Sequence, residues 1–223
     1  MMKAQYQIWC KQGGLSMIQE HYAPFGAAAG AWDPGVLGPV REINEQVVDS
    51  LCEATVATPK PCTGLLDVVR REFLQASVEA RQRLAAAPFL LLDAGFADSA
   101  SWVRPSGVQE VSAKSGASMP VLDLPIGIVH RTLLLGWHLA RTNRLAARVA
   151  LGMTPTCAEL IGSLRLRDLE TLAERDRGCV RLRWERRTEL WRPLLLAAAS
   201  GQWPLLESLQ MRGLQLLAAE ELR

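Results

Sequence analysis

At 223 residues, 49% hydrophobic and 22% charged, the chain has an ordinary globular composition. This excludes a disordered protein and leaves room for one generous domain or a core domain with an appendage. The net charge of +2 is unevenly placed: residues 1–120 carry 10 Lys/Arg against 12 Asp/Glu, and residues 131–192 carry 13 against 7, all 13 of them arginine.

The stretch APFGAAAGAWDPGVLGP (Ala23 to Pro39) is rich in Gly, Ala and Pro and predicts an irregular N-terminal segment over residues 1–38. A helical N-terminal region is expected over 39–103. Val40, Ile43, Val47, Val48, Leu51 and Cys52 recur at the spacing of one helix face, with Glu42, Glu45, Asp49 and Glu53 between them. After Pro59-Lys60-Pro61 the pattern predicts a second helix over Leu65 to Gln75. A third is predicted over Ser77 to Ala86, with Ser77 as N-cap and Glu79 in the first turn. The apolar run PFLLLDAGFAD (Pro88 to Asp98) reads as one strand or as a buried segment, two outcomes that periodicity does not separate. The Ser/Gly/Pro-rich stretch Arg104 to Pro120 marks a linker, assigned to 104–122.

Residues 123–223 are more regular. Pro125 to Leu151 predicts one helix of about seven turns, with Gly152 as its C′ residue. Thr154-Pro155 opens the next helix as an N-cap followed by proline at the first helical position, and Gly162-Ser163 closes it. Leu164 to Glu174 predicts a short amphipathic helix with Leu166, Leu169, Leu172 and Ala173 inward. CVRLRWE (Cys179 to Glu185) alternates, which predicts a short strand with Val180, Leu182 and Trp184 on one side and Arg181 and Arg183 on the other. Two helices, Thr188 to Ala199 and Pro204 to Ala219, complete a mainly α chain.

The order of these elements, with LLLGWHLA (Leu133 to Ala140), LGM (Leu151 to Met153), LRLRDLETLAER (Leu164 to Arg175) and CVRLRWE directly after it, resembles the FlhD family. FlhD is the partner of FlhC in the flagellar master transcription activator. The resemblance covers about 100 residues, from about Asp123 onward, and leaves the first 120 without a counterpart. It implies an FlhD-like helical domain and a role in transcription control with an FlhC-like partner. In that family FlhC supplies the zinc site and much of the DNA contact, and this chain lacks zinc-ligand spacing.

The arginine block points to an anionic partner or to a solvated surface. The candidate nucleic-acid-binding residues are Arg165, Arg167, Arg181, Arg183, Arg186 and Arg187, since arginine forks suit phosphate. Asp168, Glu170, Glu174, Asp176, Glu185 and Glu189 are interleaved with them and cut the field. The predicted Leu164–Glu174 helix is therefore a poor groove reader, and the edge at 181–187 is the better candidate. The leucine-rich faces of the C-terminal half exceed what a small bundle buries alone. They predict a homo- or hetero-oligomeric interface at Leu133, Trp137, Trp191, Leu205 and Leu209, with packing by the N-terminal helical region as the competing outlet.

Catalysis has no support: G-x-S-x-G, Gly-rich phosphate loops and H-E-x-x-H are all missing. His130 and His138 are eight residues apart, which does not make a metal pair, and Asp93 and Asp98 read as turn residues beside Gly95. Cys10, Cys52, Cys62, Cys157 and Cys179 contain no C-x-x-C pair, so neither a zinc site nor a disulfide framework is expected, and no cofactor. MMKAQYQIWCKQGG lacks the apolar core of a signal peptide, and no stretch reaches the ~20 apolar residues of a membrane helix. The expectation is a cytoplasmic, non-catalytic transcriptional regulator or co-activator subunit that acts with a partner chain and touches DNA through an arginine-rich edge. The alternative is a protein-binding accessory or scaffold subunit of a secretion or conjugation machine.

Overall fold

The computed structural model describes residues 34–57, 65–102, 124–175 and 177–221. The predicted 1–38 segment falls mostly outside these residues, and the 104–122 linker wholly. The first helix, α1 (Pro34–Ala57), begins earlier than its apolar pattern and continues through Pro39. Its inward face is Val40, Ile43, Val47, Val48 and Leu51, as the spacing requires. Asn44 lies on the same stripe and is fully buried.

The predicted Leu65–Gln75 helix is broken at Val69 into α2 (Leu65–Val68) and α3 (Arg70–Gln75). Helix α4 (Val78–Ala85) starts on Ser77, whose side chain accepts the Ala80 N–H at 3.2 Å. The Pro88–Asp98 run is mostly a buried irregular segment. Only Leu92–Asp93 form a strand, β1, before the short helix α5 (Ser99–Trp102).

The single helix expected over Pro125–Leu151 is two: α6 (Ile126–Thr142) and α7 (Arg144–Leu151). Asn143 divides them. Its side chain accepts the Ala146 N–H at 3.0 Å and so caps α7, offering the backbone an alternative to continuing α6. Gly152 ends α7 in the left-handed region at φ +66°. Thr154 then caps α8 (Pro155–Ser163) by accepting the Cys157 N–H at 3.3 Å. Helix α9 (Leu166–Arg175) is followed by a 3-10 turn at Arg177–Cys179. The predicted alternating strand shrinks to β2 (Arg181–Leu182), antiparallel to β1 with Leu92 opposite Leu182 and Asp93 opposite Arg181. Helices α10 (Thr188–Ser200) and α11 (Trp203–Glu221) form an antiparallel pair around Gly201 at φ +67°.

Pro34–Arg223 forms one unit, so the N-terminal helical region and the C-terminal helices share a core. Helix α1 packs on α6 and α4, and α10 packs on α4, α3 and α11. Helices α8 and α9 both lie on α6. The competing outlet for the leucine excess is thus taken: α3 and α4 cover α10, with Glu72 ion-paired to Arg192 at 3.0 Å and Arg83 donating to the Ala198 carbonyl at 2.5 Å.

At Gly213, α11 comes close to the rings of Phe89 and Trp184. A Cβ there would sit 2.5 Å from Phe89 Cε1 and 3.3 Å from Trp184 Cη2, and these two rings are packed edge to face. Gly213→Ala is expected to lower stability by about 1–3 kcal/mol through overpacking. Alanine's helix-propensity advantage of about 1 kcal/mol does not offset a displaced buried ring. A thermal melt reads the net sign.

Candidate nucleic-acid interface

The fold separates the arginines that the sequence groups together. In β2, Val180 and Leu182 flank Arg181, which is exposed. Pairing continues through Arg183, whose backbone N–H donates to the Leu91 carbonyl at 2.8 Å, before Trp184 takes φ +53°, a left-handed conformation, and the chain turns. Arg183 is nonetheless 4% exposed. Its Nε donates to the Leu90 carbonyl at 3.0 Å, and its Nη2 donates to the carbonyls of Leu92 (3.0 Å) and Leu151 (2.9 Å). The Asp93 and Glu220 carboxylates lie 3.5 and 3.7 Å away. Burial pulls its pKa below the ordinary arginine value, and the two carboxylates oppose that shift. The Arg183 carbonyl accepts the Trp191 indole N–H at 3.0 Å, and Trp184 donates to Glu220 at 2.9 Å. Arg183 is an internal tie, which corrects the expectation that it shares a solvent face with Arg181.

The other candidates fall at separate places. Arg165 and Arg167 are exposed at the start of α9, where the Asp168 carboxylate accepts the Arg165 backbone N–H at 3.0 Å, half of a capping box. Arg167 is only loosely paired with Asp168, at 3.9 Å. Arg181 is exposed beyond the far end of α9 and donates to the Gly178 carbonyl at 3.1 Å. Arg186 is exposed, and Arg187 is half-buried at the entry to α10. The ten residues of α9 hold its ends about 15 Å apart, so these side chains offer basic points at two ends of a helix. Glu170 and Glu174 are exposed between them.

A further cluster escaped the reading of the sequence. The Trp137 indole on α6 donates to the Leu164 carbonyl at 2.9 Å, which fixes the ring beside the α8–α9 turn. Arg141, one turn on, lies over that ring at 4.7 Å from its centroid. Arg141, Arg144, Ala140, Ala158, Glu159, Gly162 and Ser163 line an open depression of about 550 Å³. The signal was available as a Trp and an Arg at i, i+4 on one helix face.

Of the expected interface residues, Leu133, Trp191 and Leu209 are taken up by the chain's own core, which corrects their assignment. Leu205 is exposed, and Trp137 is half-buried at the depression. Cys52 and Cys157 are buried thiols, and burial pushes both pKa values up, away from nucleophilic thiolate. Cys10 and Cys62 lie outside the described residues. Asp98 accepts the Ala100 N–H at 3.0 Å and Asp93 the Phe96 N–H at 3.3 Å, both turn contacts. Among the described residues, no three His, Cys, Asp or Glu side chains converge on a point that could hold a metal ion, and no helix is long and apolar enough to cross a membrane. Comparison with family models, curated proteins and solved structures returned no match to this chain.

Proposed function

We propose that this chain is a non-catalytic transcriptional regulator or co-activator subunit of the cytoplasm that acts with a partner chain and contacts the DNA backbone through arginines. The supporting observation is the exposure of Arg165 and Arg167 at one end of α9 and of Arg181 beyond the other. The α9 helix that lies between them in the chain is about 15 Å long. Guanidinium forks match phosphate, and phosphate contacts position a protein without reading bases. Glu170 and Glu174 between the ends keep α9 itself from reading the groove. The resemblance to the FlhD family supplies the regulatory setting and the FlhC-like partner.

A duplex-DNA shift assay across a salt series tests this, with and without co-expressed neighbours from the same locus. Three phosphate contacts give a slope of log K against log salt of about −3. Arg165→Glu with Arg167→Glu is expected to weaken binding uniformly across sequences. Absence of binding in both settings sinks the DNA reading. The exposed acids of α9 favour a second reading, the protein-binding scaffold subunit of a secretion or conjugation machine. Arg181→Glu separates the two: loss of partner pull-down with no effect on DNA supports the scaffold.

A further inference from the structure

We infer that the depression between α6, α7 and α8 is a docking site for an acidic helical segment of a protein partner. The inference rests on the partner-chain half of the reading above and is independent of the DNA half.

Ala140, Ala158 and Gly162 form a floor of small residues, which lets another backbone approach closely. Arg141 is already ordered, its stem against Gly162 and its guanidinium over Trp137. Binding a carboxylate there therefore costs less side-chain freedom than usual. Among the described residues no carboxylate lies within ion-pair distance of Arg141, while Arg144 meets Glu159 only at 3.9 Å with both side chains well exposed. An exposed pair of that kind is weak, and a partner carboxylate can replace it. Trp and Arg side by side are also the residue types that dominate interface energies.

Two features favour a polypeptide over a nucleic acid strand. Glu159 on the rim repels a continuous line of phosphates, whereas a single carboxylate can reach Arg141 and avoid it. The Ser163 hydroxyl spends its proton on the Leu160 carbonyl at 2.7 Å, so its oxygen can only accept. A helical segment offers it the free N–H groups of its first turn, and a phosphodiester backbone offers none.

The test uses the full chain and a labelled synthetic helical peptide of Ala, Leu and Glu, with the same peptide carrying Gln for every Glu as control. Fluorescence anisotropy is expected to show binding of the Glu peptide alone. Arg141→Glu and Arg144→Glu should each weaken it about tenfold or more, and Arg71→Glu, exposed on α3 and outside the depression, should leave it unchanged. Gly162→Leu should fill the floor and abolish binding. Should that variant fail to fold, the exposed Arg144→Glu reads the same site. Equal binding of the Glu and Gln peptides, or insensitivity to Arg141→Glu, overturns the proposal. So does loss of DNA binding in these variants with peptide binding intact, which would make the depression a nucleic-acid contact. A wild-type chain that binds the Glu peptide but no DNA sinks the DNA reading and leaves this one standing.

Discussion

Replacement of Arg183 by methionine is expected to lower folding stability by about 3–5 kcal/mol, the range for breaking a buried ion pair by removing one partner. In a domain of this size that corresponds to roughly 10 °C in Tm. Methionine fills the volume of the arginine stem but leaves the carbonyls of Leu90, Leu92 and Leu151 without their donors. It also leaves Asp93 and Glu220 facing a neutral neighbour. Arg183→Lys keeps the charge but lacks the planar fork that serves several acceptors at once, so it should recover only part of the loss. Urea denaturation reads both variants, and an unchanged midpoint for Arg183→Met would show that the tie carries no stability. DNA binding by the folded variant should match the wild type, because the side chain is internal.

The second large effect is expected at Asn44. It lies wholly inside the fold on α1, and its Nδ2 donates to the carbonyls of Phe89 (2.9 Å) and Ala85 (3.2 Å). Its Oδ1 accepts the Leu91 N–H at 2.8 Å. Asn44→Leu orphans three backbone groups at once. Each costs about 1–3 kcal/mol when left buried and unmade, offset in part by the apolar side chain, for a net loss of about 3 kcal/mol. Asn44 and Arg183 hold the same segment from opposite sides, so the double variant should lose less than the sum of the two singles. Additive losses in denaturation midpoints would show that the two ties act separately.

Much of the fold was legible because it rests on local chemistry. Ser77, Gly152 and Thr154-Pro155 mark helix ends through contacts made within a few residues, and the stripe from Val40 to Leu51 marks a buried face. The break at Asn143 was hidden because apolar periodicity runs straight through it, while the cap that makes it is a single side-chain hydrogen bond. Asn44 had a readable signature, a polar residue on an otherwise apolar stripe, which calls for buried backbone partners.

Arg183 had no such signature. Two-residue alternation assigns it to the side of Arg181, and what buries it there are groups distant in the chain, at Leu90, Leu92, Leu151 and Glu220. The candidate interface suffered for the same reason. Spacing in sequence places Arg165 and Arg181 in one window, whereas the α9 helix lies between them, and Arg141 stands over Trp137, which is tied to the distant Leu164 carbonyl.

The tie between Arg183 and Leu90 spans 93 positions, and this has a consequence for how the protein is made. The carbonyls of Leu90 and Leu92 emerge from the ribosome long before the side chain that satisfies them. At about 5–20 residues per second the interval is roughly 5–20 s. During that time the apolar run from Phe89 to Leu92 has α1 and α4 beside it but lacks its closing strand. The nascent chain must therefore wait for its second half before its first half can finish folding, and it presents a chaperone with a hydrophobic segment to hold until then.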